Sequence, residues 1–334
     1  MKFSLPKQFR NVADLALLKK LEAGLELVEA GLLEATTHTD PVAKDAAAHL
    51  VQAGGKRIRP VLVMLAAELG DGTTQAVVEA AVVVELTHLA TLYHDDVMDE
   101  APTRRGVPTA HQIWGNSIAI LTGDLLFARA SQVAARMGQE TIALQAHTFE
   151  RLCLGQMHET VGPLETDDPT EHYIQVLADK TGSLIAASAE LGLMSSNADP
   201  KYLQPLRDFG EAIGVAFQLI DDVIDISEAG PSGKTPGTDL RAGVPTLPVL
   251  MLRKMAETDE SAKSLLSKID GDLSSDEDLA AVVKELRENS VTAEAELVAR
   301  SWAQKAIDAI EPLPNGSVKS ALVTFANAVV DRAS

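Results

Sequence analysis

The chain has 334 residues, 29 basic against 48 acidic side chains, and a formal net charge of −19. That balance argues against a nucleic-acid partner, because gripping a phosphate backbone needs a basic face. A single cysteine, Cys153, rules out an internal disulfide and a thiolate zinc pair, so a reducing compartment is expected.

At the front, Met1–Asp14 carries Lys2, Lys7 and Arg10 without the apolar stretch of an export signal. No segment is expected to supply the roughly 20 predominantly apolar residues of a membrane span. The expected location is cytoplasmic, with peripheral membrane contact left open.

From Val12 to Ala333, Ala-, Leu-, Glu- and Val-rich stretches place apolar residues three and four apart, which predicts helix nearly throughout. Clusters of Pro and Gly near Pro41, Gly54-Gly55, Pro102–Pro108, Pro163–Pro169, Pro200–Pro205 and Gly230–Pro248 cut this into about a dozen helices. Val77–Leu92 is rich in β-branched residues, yet its length and unbroken run predict a central helix buried on most sides. The fold class is therefore all-α, a single domain over 1–334. Its motif-bearing core runs from about 54 to 250, its C-terminal helices from 255 to 334, and the acidic Glu257–Glu288 is read as a peripheral appendage.

Two segments echo each other: Thr91–Asp99 (TLYHDDVMD) and Gln218–Asp225 (QLIDDVID). On a helix Asp95 and Asp99 share a face with Asp96 to one side, and Asp221, Asp222 and Asp225 repeat the pattern. Pro102 follows one triplet and Gly230-Pro231 the other, so both are expected at helix C-termini, where carboxylates repel each other and oppose the macrodipole. An arrangement so unfavourable, made twice, calls for a cation. Carboxylate-only ligands select a hard divalent ion, and Mg2+ characteristically takes one or two carboxylates together with water and substrate phosphate. The implied ligand is a polyphosphate.

In an acidic protein, short basic bursts are where an anion can be held. Lys56, Arg57 and Arg59 adjoin Gly54-Gly55, a turn whose backbone amides could approach an anion, and Arg104-Arg105 follow the first triplet. His88 precedes Asp95 by seven residues, nearly on the same helical face.

Together, GGKRIRP (Gly54–Pro60), DDVMD with Arg104-Arg105, and FQLIDDVID (Phe217–Asp225), in this order, resemble the trans-polyprenyl diphosphate synthase family. The resemblance implies an all-α bundle of the isoprenoid synthase type with a central substrate cavity, and a prenyltransferase joining isopentenyl diphosphate head-to-tail to an allylic prenyl diphosphate. It implies Mg2+, more than one ion, held by Asp95, Asp99, Asp221, Asp225 and Asp239, and a homodimer. Lys56, Arg59, His88 and Arg105 would hold isopentenyl diphosphate; Arg104, Lys180, Thr181, Gln218 and Lys234 would face the allylic diphosphate. Asp95, Asp96, Asp99, Arg104, Lys180, Asp221, Asp222 and Lys234 would carry catalysis. In one departure, Val244 stands where relatives commonly have another lysine, with Arg241 as a candidate substitute.

Reading back from Asp95 along one face gives Thr91, Thr87 and Val84, with Ala90 beside them, all small. Short-chain members of the family tend to place a bulky aromatic at the positions of Thr91 and Ala90. A long product of the quinone side-chain type is therefore expected, with these residues as its tunnel wall. The other readings are a farnesyl or geranylgeranyl diphosphate synthase, a class I terpene cyclase, and a non-catalytic synthase subunit.

Overall fold

The structure, a computed structural model, describes residues 5–9, 12, 14–38, 40–227 and 236–333. They form sixteen α-helices and one two-residue hairpin, so the all-α prediction holds. In chain order the elements are α1 (Leu15–Ala35), α2 (Pro41–Gln52), α3 (Ile58–Ala67), α4 (Gln75–Met98), β1 (Thr103–Arg104), β2 (Val107–Pro108), α5 (Ala110–Trp114), α6 (Asn116–Met137), α7 (Gln139–Val161) and α8 (Pro169–Leu177). Then follow α9 (Ser183–Met194), α10 (Leu203–Asp225), α11 (Thr238–Arg241), α12 (Leu247–Met255), α13 (Glu260–Ile269), α14 (Asp276–Glu288), α15 (Ser290–Ala309) and α16 (Ser317–Val330).

The chain divides into two compact units. One comprises Met1–Leu152, Ser183–Gly210 and Ala309–Thr324; the other comprises Cys153–Gly182, Glu211–Asp308 and Phe325–Ser334.

The first unit is built around α4. Thr74 caps it by accepting from the Val77 N–H, and the helix packs against α1, α3, α6 and α9. Because it is surrounded, its apolar residues need no single stripe: Val77, Ala80, Val83, Leu86, Leu89 and Tyr93 are all buried. The β-branched run therefore adopts helix, as expected from its length. Where α9 meets α3, a Cβ on Gly192 would stand 2.1 Å from the Val63 carbonyl oxygen, so only glycine permits that approach. Contrary to expectation, α4 and α6 are each long and apolar enough to cross a membrane. In α4 that composition serves a core position, since 72% of its apolar window is buried; for α6 the figure is 44%.

In the second unit, Leu240, Val249, Leu252, Leu265, Ile269, Leu279, Val283 and Leu286 form one hydrophobic cluster. This corrects the appendage reading of Glu257–Glu288. Its acidic residues lie on the outer faces of α13 and α14, while its leucines and valines complete the core begun by α12.

Candidate active site

The first aspartate triplet occupies the last turn of α4, with Asp99 as its C-cap. Adjacent helix positions are rotated by about 100°, so the three carboxylates do not share an environment. Asp95 is half-buried and Asp99 exposed, whereas Asp96 is buried. Arg104 Nε donates to Asp96 Oδ1 at 2.7 Å, and Asp96 Oδ2 is buried without a hydrogen-bond partner. Burial raises the Asp96 pKa, with Arg104 working against that shift.

Arg104 is delivered by a hairpin that periodicity could not reveal, because each strand has only two residues. Its turn, Arg105-Gly106, has φ of 55° and 80°, the geometry of a tight two-residue connection. Arg105 Nη1 donates to Leu50 O at 2.9 Å and to Gly54 O, and its Nη2 lies 3.8 Å from Glu85 Oε1. The hairpin arginine is thereby fastened beneath the glycine turn. A Cβ on Gly55 would stand 2.8 Å from both Arg105 Cζ and Arg57 Nη1, which explains the glycine.

Arg57 has a structural role. It is buried with φ of 53°, donates from Nε to Glu29 Oε1 at 2.5 Å, and donates from Nη1 to Glu85 Oε1 at 2.8 Å. Burial opposes its charge, but the two glutamates offset that and its pKa rises. Arg59 differs: burial pushes it down to about 10, and its Nε has no hydrogen-bond partner. His88 is held well below the ordinary histidine range by burial and by Arg59, Arg105, Arg57 and Arg104, so it is neutral at pH 7. Both keep part of their surface open, as groups lining a cleft do. Lys56 is exposed beside them. An under-neutralised cationic nest with an unspent donor suits an anion.

The second triplet ends α10, as predicted. Asp221 and Asp225 are half-buried, and Asp222 is buried. Tyr173 Oη donates to Asp222 Oδ2 at 2.8 Å, and the Leu247 N–H donates to the same oxygen at 3.0 Å. Burial lifts Asp222 to about 7, and Asp239 and Asp221 add to the shift. The Asp222 carboxylate ties α8 and the start of α12 to α10. Asp225 accepts from Thr238 Oγ1 at 2.6 Å and from the Asp239 N–H at 3.1 Å, which satisfies the first turn of α11 and brings half-buried Asp239 beside it.

Lys180 and Thr181 lie in a π-helical turn, Ala178–Gly182, between α8 and α9. Such wide turns interrupt α-helices most often at functional sites. Lys180 pairs with Glu159 of α7, and on that helix the buried Gln156 Oε1 has no partner. Gln218 is half-buried on α10. Lys234 lies outside the described residues. Arg241 does not substitute for the lysine absent at Val244, because it is committed to Asp276 at 2.5 Å and to Leu273 O at 3.1 Å.

Glu29, Glu85, Gln156, Glu159 and Tyr173 were not singled out by sequence. Glu85 carried a readable signal, an acid within an apolar helix three residues before His88; the others gave none.

Val84 and Thr87 of α4 line a cavity of about 10 Å³, together with Val83, Gln145, Thr148, Leu184, Ala187 and Leu191. Thr91 and Ala90 do not line it. Thr91 is half-buried on the same face, and Ala90 is buried.

Carboxylates, an orphaned buried Asp96 oxygen and an unspent Arg59 donor fit a divalent cation and a diphosphate. Among the described residues no three His, Cys, Asp or Glu side chains form a ready metal cage. Each aspartate-tipped helix end, taken within its own unit, and the cationic nest of the first unit have the chemistry to take a divalent cation and a phosphate-bearing substrate.

Similarity to known proteins makes the assignment specific: the polyprenyl synthetase family profile matches residues 40–286. The chain is 41% identical over 324 residues to nonaprenyl diphosphate synthase of Mycobacterium tuberculosis, covering 96% of each. It resembles the crystal structure of geranylgeranyl pyrophosphate synthase from Corynebacterium glutamicum complexed with calcium and isoprenyl diphosphate, with TM-score 0.86 and 41% identity over 96% of this chain and 99% of that one. It also resembles a decaprenyl diphosphate synthase from Rhodobacter capsulatus, with TM-score 0.85 and 30% identity over 96% and 99%. The chain belongs to the polyprenyl synthetase family and is a trans-prenyltransferase.

Proposed function

We propose that this enzyme makes a long-chain all-trans polyprenyl diphosphate in the cytoplasm by condensing isopentenyl diphosphate with an allylic prenyl diphosphate. Relatives of equal identity are named for nonaprenyl and geranylgeranyl products, so similarity alone does not choose the length. The observation that carries the choice is on α4, where no bulky side chain stands at Ala90 or Thr91.

Arg59, Arg105, Lys56 and neutral His88 bind the diphosphate of isopentenyl diphosphate. Arg59 gains most, because an anion restores the charge balance that burial has cost it. Arg104, Lys180, Thr181, Gln218 and Lys234 bind the allylic diphosphate, while Asp95, Asp99, Asp221, Asp225 and Asp239 hold Mg2+. When bound, Mg2+ supplies Lewis-acid stabilisation of charge on the departing diphosphate. The protein's fixed cations add preorganised stabilisation of the same charge. The allylic C–O bond breaks to release diphosphate, the double bond of isopentenyl diphosphate attacks the allylic cation, and the released diphosphate takes the proton lost from the carbon beside the new cation, which restores a double bond. Buried aliphatic side chains of α4 and α9 keep water from the cation. Asp222 and Asp96 position their neighbours.

The enzyme acts as a homodimer. Support comes from the first unit, where Ile113 is 47% exposed, Ile120 43% and Leu121 60%, on α5 and α6. The deciding experiment incubates purified protein with Mg2+, isopentenyl diphosphate and a panel of allylic primers, then measures product length. Long all-trans products are expected; a product that stops at fifteen or twenty carbons with every primer would refute the long-chain assignment.

A further inference from the structure

Beyond the end of α16, the short turn Asp331–Ala333 carries Arg332. Its guanidinium carbon lies 4.8 Å from the centroid of the Phe217 ring, and its Nη1 is 2.8 Å from Asp221 Oδ1. Phe217 and Asp221 are one helical turn apart on α10, so a single guanidinium covers both. The approach to Asp221 is an ion pair without hydrogen-bond alignment, and the same Nη1 is buried with no hydrogen-bond partner. Arg332 therefore neutralises Asp221 while keeping a donor unspent.

The turn is fastened from another side. Arg300 of α15 donates from Nη1 to Asp331 Oδ1 at 3.2 Å and from Nε to Glu296 at 3.0 Å. Among the described residues of this unit, Arg241 pairs with Asp276, Arg253 with Asp270, and Lys180 with Glu159.

We propose that Arg332 is a charge placeholder for the second aspartate cluster. It neutralises Asp221 until a divalent cation arrives with diphosphate, then leaves Asp221 and donates to a diphosphate oxygen. A guanidinium and a divalent ion sharing one carboxylate repel each other strongly at half-buried sites, which drives the exchange. The unspent donor gains a charge-assisted hydrogen bond to the anion. Arg332 is thus a positioning residue before binding and a diphosphate ligand after it. The inference rests on Asp221 being a metal ligand.

The test measures Mn2+ binding by the electron paramagnetic resonance signal of the free ion, with Mn2+ alone and with Mn2+ plus inorganic pyrophosphate. Arg332→Gln is expected to tighten Mn2+ alone by about fivefold and to weaken Mn2+ with pyrophosphate by a similar factor. A merely structural role would weaken both. Phe217→Leu removes the ring and leaves every charge in place, so it should give the same two opposite shifts at smaller size, and the test does not depend on Arg332→Gln folding. Arg253→Gln, with the same change in net charge, controls for the overall field and should shift neither. If Arg332→Gln behaves like Arg253→Gln, or weakens both arms, the placeholder role is wrong. Asp221→Asn separates the two levels: unchanged Mn2+ binding there overturns the metal assignment itself, whereas weakened binding with an indifferent Arg332→Gln overturns only the placeholder.

Discussion

Asp95 and Asp96 are neighbours of identical chemistry, yet one stays half-open and the other is buried under Arg104. The same division separates Asp221 from Asp222, which Tyr173 and the Leu247 amide hold. If the proposed metal-binding role holds, replacing an open member of either pair removes charge needed to hold the metal and leaving group; Asp95→Asn and Asp221→Asn should then each lower kcat by about 10²-fold or more. Unchanged circular dichroism would assign the loss to chemistry, and steady-state kinetics measures it. His88 gives a pH signature. Its folded-state pKa lies below its unfolded value, so its contribution to stability is present above about pH 6.5 and is lost as the pH falls. His88→Gln should therefore lose less stability than the parent between pH 7.5 and 5.5, as read from urea midpoints. At this scale the motifs announced which residue types matter, but not which member of each Asp-Asp pair turns inward. That depends on what packs beside the helix, and the packing partners come from remote parts of the sequence.

Helices were legible wherever periodicity ran long. The hairpin β1–β2 was not, since two residues per strand leave no alternation to read, and the π-helical turn was hidden inside an otherwise regular pattern. The glycine turn before α3 illustrates what an element can owe to one missing side chain. Gly55→Ala would push a Cβ to 2.8 Å from two guanidinium groups, each fixed by other contacts. The expected cost is about 1–3 kcal/mol of stability, together with a raised KM for isopentenyl diphosphate and a smaller change for the allylic substrate. Thermal melts and initial rates test both. On α4, Thr91→Phe should shorten the main product, read by chromatography of the dephosphorylated alcohols. An unchanged length distribution would move the tunnel wall off this face.

For the whole molecule, the acidic charge and high helix content were plain from composition, whereas the division into two compact units was not. Each unit collects discontinuous stretches, and the breaks at 152/153 and 210/211 fall within α7 and α10, where no composition shift marks them. The apolar surface of α5 and α6 was equally silent, because a core helix and an interface helix share one pattern. If that surface joins two copies, Leu121→Asp should convert a dimer to monomers, visible in sedimentation velocity as roughly a halving of mass. An unaltered assembly would place the contact elsewhere.

The five residues Ala178–Gly182 also offer a way to edit the enzyme without changing any side chain's chemistry. Deleting one codon there would let the wide turn relax into ordinary helix and shift the phase of the segment by about 100°. The ammonium now beside Glu159 would survive with its charge intact but aimed elsewhere. Such a frame-preserving deletion would separate what direction contributes from what charge contributes, which no substitution of the lysine can do.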